Sequence, residues 1–319
     1  MRRRILVTGA AGFIGSHVSE ALLRRGDRVV AVDAFDDYYD PLRKRSNLHE
    51  IAQAGGALEF VEGDIRDDRV LGELFRHGLD AVVHLAGLGG VRASVERPLE
   101  YQDVNVGGTV ALLEAVRRHD KPNFVFASTS SVYGASTEIP FLESDRCDRP
   151  LAPYPASKRS AELLGHAYHH LHQLNFTALR FFTVYGPRGR PDMMPYKLLR
   201  SVMHREEIPL YGEGTMRRDW TYVGDIAQGI LRALDRPLGY EVINLGRGAP
   251  ELLSDFIVTV ESATGREAVL RPEPAHPADV PVTYANIDKA RQLLDYEPQV
   301  DIQQGVRELV AWYKRVVLD

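Results

Sequence analysis

The chain has 319 residues, 44% of them hydrophobic and 26% charged, which suits a large buried core and excludes a disordered chain. A formal net charge of -5 with no basic block argues against nucleic-acid binding. The single cysteine, Cys147, excludes an internal disulfide and fits a reducing compartment. No apolar run approaches the roughly 20 residues of a membrane span. The basic start, residues 1–4, leads into an apolar run broken at once by Thr8-Gly9, unlike a secretory signal. A cytoplasmic protein with no membrane and no nucleic-acid partner is expected.

In chain order, a strand is predicted over residues 4–8 and a helix over 14–25, joined by a glycine-rich turn. Strands over 28–33, 58–62, 81–84, 123–127 and 177–182 then alternate with helices over 43–54, 69–76, 98–118 and 154–173. These strands are apolar on both faces, so they predict a parallel sheet covered by helices on both sides. After Phe182 the chain is less regular and richer in Pro, Gly and Arg. A strand over 241–245 and helices over 253–263, 287–294 and 305–316 remain. The change of texture at Phe182 marks a domain boundary, and the lack of a flexible linker predicts a tight interface. There is no internal repeat.

Gly9-Ala10-Ala11-Gly12-Phe13-Ile14-Gly15 stands between the first strand and the first helix. Glycines there let the backbone turn sharply and approach a pyrophosphate held at the helix N-terminus. The strand–turn–helix setting gives this short pattern its weight. The second strand ends in Asp33, at the spacing where a carboxylate accepts hydrogen bonds from an adenosine ribose. Asp33 also repels a 2′-phosphate, and Ala34 follows it rather than an arginine, which favours NAD over NADP. Asp64 and Ile65 after the third strand, and Leu85-Ala86-Gly87 after the fourth, lie at carboxyl ends of strands, where such folds bind ligands.

Tyr154-Pro155-Ala156-Ser157-Lys158 sets a phenol and an ammonium four residues apart, on one face of a helix. For a phenolate to act as a base its pKa must fall from near 10 toward 7, roughly 4 kcal/mol of differential stabilisation. A neighbouring ammonium and an oxidised nicotinamide are able to supply that. Upstream, Ser128-Thr129-Ser130-Ser131 closes the fifth strand with hydroxyls suited to binding a sugar hydroxyl and relaying its proton.

With these markers the chain resembles the extended short-chain dehydrogenase/reductases, and within them the nucleotide-sugar epimerases. The resemblance runs along essentially the whole chain. Its further markers are His84-Leu85-Ala86-Gly87, Asn105-Val106-Gly107-Gly108-Thr109, Ser131-Val132-Tyr133-Gly134, the segment from Arg180 to Pro187, and Arg218-Asp219-Trp220-Thr221-Tyr222-Val223. It implies an α/β fold with a Rossmann-type doubly wound parallel sheet and a smaller, mixed α/β substrate-binding domain. The first domain would take residues 1–182 plus about 220–247, and the second 183–219 and 248–319. It implies Tyr154 as base, Lys158 binding the nicotinamide ribose and lowering the tyrosine pKa, and Thr129 assisting at the sugar 4-hydroxyl. NAD would be held by Gly9, Gly12, Phe13, Ile14, Gly15, Asp33, Asp64, Ile65, Leu85, Ala86, Gly87, Asn105 and Ser128 as well as Tyr154 and Lys158. Substrate contacts would come from Ser130, Ser131, Thr183, Arg190, Tyr211, Arg218 and Asp279, with Arg218 on the pyrophosphate.

The same resemblance orders the chemistries. Dehydratases carry Thr-Asp-Glu at this strand end and uronate decarboxylases Thr-Ser-Glu, whereas this chain reads Thr129-Ser130-Ser131. Simple 4-epimerisation remains. The segments from Asp36 to Pro41, from Thr183 to Met193 and from Asp279 to Ile287 look like UDP-glucuronate 4-epimerases; galactose epimerases usually have Asn where Thr183 stands. A uronate needs a partner for its carboxylate, and a planar guanidinium matches it best. By resemblance that partner is Arg190, supported by Thr183 and Ser130, with Arg188 as rival. His276 departs from the Gln or Arg usual at its position. A UDP-galactose 4-epimerase, a uronate decarboxylase and a non-catalytic NAD-binding regulator are the competing readings. His166, His169, His170 and His172 crowd one helix without a Cys or acidic ligand set, so no metal is expected. Met193 and Met194 read as gap-fillers. The family pairs the helices over 98–118 and 154–173 into a four-helix bundle, which implies a homodimer.

Overall fold

The computed structural model describes residues 2–136, 138–274 and 280–318. Its first part runs β1 (Arg4–Thr8), α1 (Phe13–Arg25), β2 (Arg28–Asp33), α2 (Pro41–Gln53), β3 (Ala57–Glu62), α3 (Asp68–Phe75) and β4 (Ala81–His84). It continues through α4 (Val91–Glu96), α5 (Pro98–Tyr101), α6 (Gly108–Arg118), β5 (Asn123–Thr129), α7 (Pro153–His172) and β6 (Phe176–Phe181). Then come β7 (Thr183–Tyr185), α8 (Met194–His204), β8 (Glu207–Tyr211), β9 (Arg217–Arg218), β10 (Trp220–Tyr222), α9 (Val223–Leu234) and β11 (Tyr240–Leu245). The chain closes with β12 (Glu251–Leu252), α10 (Leu253–Thr264), β13 (Val269–Glu273), α11 (Asp288–Leu294) and α12 (Ile302–Tyr313).

Seven strands form one parallel sheet in the order β3-β2-β1-β4-β5-β6-β11. Alternate residues of each strand serve opposite cores. Ile5 and Val7 pack with Val18 and Leu22 of α1 and Ile226 and Ile230 of α9. Leu6, Val30 and Val82 pack with Leu71 of α3 and Leu112 and Leu113 of α6. Each fully buried aliphatic stabilises by about 1.5–3 kcal/mol, so both faces hold the sheet. That double burial is why β4 and β5 read as unbroken apolar runs, while edge strand β3 alternates exposed and half-buried residues.

The chain enters the sheet at its middle, builds one half outward, then returns beside β1 to build the other. Thr8 and His84 therefore end adjacent strands in register, and the loops leaving them diverge. In such folds ligands bind in the crevice that opens there. The short pairs β7–β10, β9–β12 and β8–β13 lie outside the main sheet.

Several elements differ from expectation. The helix over 98–118 is broken into α5, a π-helical segment Gln102–Gly107 and α6. Gly107-Gly108 weakens helix there, and the Asn105 side chain bonds outward to the β4 loop instead. Helices α4, α8 and α9 and the β8–β13 pair were not predicted. Among the described residues no helix is long and apolar enough to cross a membrane.

Candidate active site

A cleft of about 440 Å³ opens at the carboxyl ends of the strands. Gly9 turns the chain out of β1 with φ +66°, and a Cβ there would lie 2.8 Å from the Ala86 nitrogen. A Cβ on Gly15 would lie 2.1 Å from the Gly9 carbonyl oxygen. Two missing side chains thus let the start of α1, the β1 turn and the β4 loop close into a backbone floor. Gly12, Phe13, Ile14, Ile65, Leu85, Ala86 and Gly87 line the same cleft. Asp33 sits at its far end, 6% exposed. Burial raises its carboxyl above the usual range, while N–H groups of Phe35 (2.9 Å) and Ala11 (3.1 Å) each donate to a different oxygen. Lone pairs remain on both oxygens for two vicinal hydroxyls. The cradle that Cβ atoms would fill and the fixed carboxylate fit a dinucleotide with a free ribose, as NAD has.

Behind the floor runs a polar chain that the sequence reading missed. The Thr109 hydroxyl donates to the Asn105 carbonyl (2.6 Å), so its oxygen accepts from His84 Nε2 (3.0 Å). His84 Nδ1 then accepts from the Thr8 hydroxyl (2.8 Å), whose oxygen takes the N–H groups of Leu85 and Ala86. Burial, aided by the Lys158 charge, pushes the His84 imidazole down to about 3, so it is neutral. Asn105 is not among the residues lining the cleft and stands directly behind Gly87, which does line it. Its amide is spent on the Leu88 backbone (2.8 and 3.0 Å) and the Ser157 hydroxyl (3.0 Å), tying the β4 loop to α7. Asp64 lines the cleft, but Arg66 grips its carboxylate and holds it below the usual range.

Helix α7 starts with Pro153 at its first position, where a missing N–H costs nothing. Tyr154, Lys158 and Glu162 follow at four-residue intervals and meet the end of β5 together. The Tyr154 phenol hydrogen-bonds Thr129. Lys158 Nζ donates to the Ala127 carbonyl (3.0 Å), and the Ser128 hydroxyl donates to Glu162 (2.5 Å). Burial lowers the Lys158 ammonium to about 8. Burial raises Tyr154, and the Thr129 bond and the Arg190 charge pull the other way. With Lys158 Nζ donating to the Ala127 carbonyl, the groups that pull the phenol down here are Thr129 first and Arg190 second.

Ser130, Ser131, Thr183 and Arg190 line the cleft beside Thr129 and Tyr154. Thr183 is set by its N–H on the Asp219 carbonyl (3.1 Å). Arg188 is elsewhere, paired with Glu20 of α1 and 3.5 Å from Glu50. Tyr211 and Arg218 are not brought to the cleft wall: Arg92 stacks on the Tyr211 ring at 4.6 Å, and Arg218 donates to the Arg217 carbonyl (2.9 Å). Asp279 and His276 lie outside the described residues. Tyr38 and Tyr39 line the cleft as well; the signature segment containing them carried that signal without a role.

Comparison with known proteins adds to this geometry. A model of the NAD dependent epimerase/dehydratase family matches residues 5–246. A UDP-glucuronate 4-epimerase of Thermodesulfobacterium geofontis is 43% identical over 311 residues, covering 97% of this chain and 95% of that protein. The Bacillus cereus UDP-glucuronic acid 4-epimerase in complex with UDP-glucuronic acid and NAD superposes with a TM-score of 0.91 at 35% identity, covering 98% and 99% of the two chains. A Thermus thermophilus UDP-glucose 4-epimerase in complex with NAD follows at 0.88 and 31%, with the same coverage.

Proposed function

The chain belongs to the NAD-dependent epimerase/dehydratase family, and from that premise we propose that it is a UDP-glucuronate 4-epimerase, interconverting UDP-glucuronate and UDP-galacturonate. The observation that carries this reading is the company of Tyr154: Thr129, Ser130, Ser131, Thr183 and Arg190 share its cleft. The two positions after Thr129 hold hydroxyls, so the strand end offers no carboxylate for dehydration or decarboxylation.

Gly9, Gly12, Gly15 and Asp33 would hold NAD, with Lys158 toward the nicotinamide ribose. When bound, NAD supplies a reversible hydride acceptor for C4 of the sugar. Tyr154 takes the proton of the sugar 4-hydroxyl and returns one, and Thr129 orients that hydroxyl. Arg190, Thr183 and Ser130 hold the uronate carboxylate. A 4-keto uronate is a β-keto acid and loses carbon dioxide when the bond to its carboxylate aligns with the carbonyl π system. Fixing the carboxylate out of that alignment is what separates epimerisation from decarboxylation. Tyr211, Arg218 and Asp279 are assigned by resemblance to the rest of the substrate.

Proton NMR of UDP-glucuronate with purified protein, with UDP-glucose alongside, tests the reading. A new UDP-galacturonate anomeric signal with UDP-glucose untouched is expected; conversion of UDP-glucose alone would leave the family and remove the uronate site. We also propose a homodimer, in the cytoplasm where a lone thiol such as Cys147 stays reduced. Supporting it, Leu99 of α5 is 83% exposed and Leu163 of α7 55%, costly for an unpaired surface. Light scattering returning a monomer mass would refute the dimer.

A further inference from the structure

We propose that Asp192, Tyr38 and Gly89 form a socket that aims Arg190 at the substrate carboxylate, with Asp192 the residue that sets the angle. The inference rests on the uronate reading above and assigns roles in it to residues that the mechanism does not use.

The guanidinium of Arg190 is fixed on three sides. Along one edge, its Nε donates to Asp192 Oδ1 (2.9 Å) and its Nη2 to Asp192 Oδ2 (2.5 Å), a two-point grip that defines the plane of the group. Against its face stands the Tyr38 ring, with Arg190 Cζ 5.2 Å from the ring centroid. The Tyr38 hydroxyl also donates to Asp192 Oδ2 (3.3 Å) and accepts from Arg190 Nη2 (3.4 Å). At its tip lies Gly89, where a Cβ would come within 2.2 Å of Arg190 Nη1. The Tyr101 hydroxyl holds the Gly89 carbonyl (2.7 Å), and the Tyr101 ring meets the Tyr154 ring edge-on at 6.2 Å.

The grip leaves one nitrogen uncommitted. Among the described residues Arg190 Nη1 has no hydrogen-bond partner, and Arg190 lines the cleft whereas Asp192 does not. A uronate carboxylate entering beside Thr183 and Ser130 would meet the Nη1 end of a guanidinium whose rotation is already set. Asp192 thus works from behind the wall. It also offsets the arginine charge, which otherwise bears on the Tyr154 phenol. Tyr38 comes from the loop after β2 and Arg190 from the loop after β7, so the socket joins the cofactor half to the substrate half.

The test compares wild type, Asp192→Asn, Gly89→Ala and Tyr38→Phe on UDP-glucuronate, following UDP-galacturonate and any UDP-pentose by NMR, with thermal midpoint and bound NAD as folding controls. Asp192→Asn should raise KM about tenfold, the share of one charge-assisted contact, with a smaller change in kcat. It should also release UDP-pentose, because a loosened guanidinium lets the carboxylate reach the decarboxylating alignment. Gly89→Ala should do the same with the ion pair intact, since the added methyl occupies the place of Nη1. Tyr38→Phe should give a weaker form of both effects. Unchanged KM and no UDP-pentose in folded Asp192→Asn would overturn the proposal, and if that variant does not fold, the same result in Gly89→Ala would do so. A wild type that turns over no UDP-glucuronate would instead overturn the uronate reading, and the socket with it.

Discussion

Arg180 and Glu162 pair at 1% and 0% side-chain exposure, whereas Arg190 and Asp192 pair at 22% and 32%. Both are two-point guanidinium–carboxylate contacts, and both lie within reach of α7. In the first, protein groups close around the pair, although Arg180 Nη1 has no hydrogen-bond partner among the described residues. Glu162 also accepts from Ser128 (2.5 Å) and Arg159 (2.9 Å), and Arg180 stacks over Tyr133, 4.8 Å from its centroid. Tyr133 in turn donates to Asn244 (2.7 Å) on β11. In the second pair a guanidinium nitrogen is left facing the cleft. The same two functional groups make a strut where the pair is sealed inside protein and a binding element where its arginine lines a cleft.

The sharpest break of this comparison is Glu162→Ala. It strands the Arg180 charge in the core, so stability should fall by about 3–5 kcal/mol in a urea titration. Pairing Glu162→Leu with Arg180→Met should recover most of that loss, because the buried charge is gone from both sides. A loss below about 1 kcal/mol in the single variant would mean that the strut is no strut.

His84 belongs with the strut, since both of its ring nitrogens are committed and it is 1% exposed. Its imidazole is pushed down from 6.5 to about 3, by burial first and by Lys158 second. Between those values the unfolded chain binds a proton that the folded one refuses. Stability contributed by the neutral ring is therefore whole above pH 6.5 and is lost as pH falls toward 3, by about 1.4 kcal/mol per pH unit. Urea titrations from pH 7 to pH 4 should show this slope in wild type and a shallower one in His84→Gln. Equal slopes would assign the acid sensitivity to other groups.

The strut and the cleft wall were not equally legible in the sequence. Strands β1, β4 and β5 stood out because burial on both faces leaves continuous apolar runs at their centres. The glycine turn and the Tyr154–Lys158 pair were readable because their function needs short-range spacing. Arg190 was found by resemblance, and its socket was not found, since Asp192 and Tyr38 are 154 residues apart and meet only in the fold. The bonds of Asn105 to the Leu88 backbone and Ser157 were not legible, because an amide near a nucleotide loop gives no sign of which backbone it meets. Helix α9 escaped because Gly224 and Gly229 interrupt its pattern, and β8 and β13 because their residues are mostly half-buried or exposed.

The smallest effect concerns the folding cost of Arg190→Ala. Removing this arginine leaves Asp192 without its partner, as Glu162→Ala leaves Arg180. Asp192 keeps 32% of its side-chain surface, however, so water replaces much of what the guanidinium gave, and the Tyr38 hydroxyl still donates to it. The stability loss should stay below about 1 kcal/mol, within the range of partly exposed ion pairs. Uronate turnover should nevertheless fail or leak UDP-pentose, so that a change nearly silent in urea is severe in the NMR assay. A loss of several kcal/mol would place Arg190 in the class of Arg180, and its position at the cleft would then be a consequence of packing.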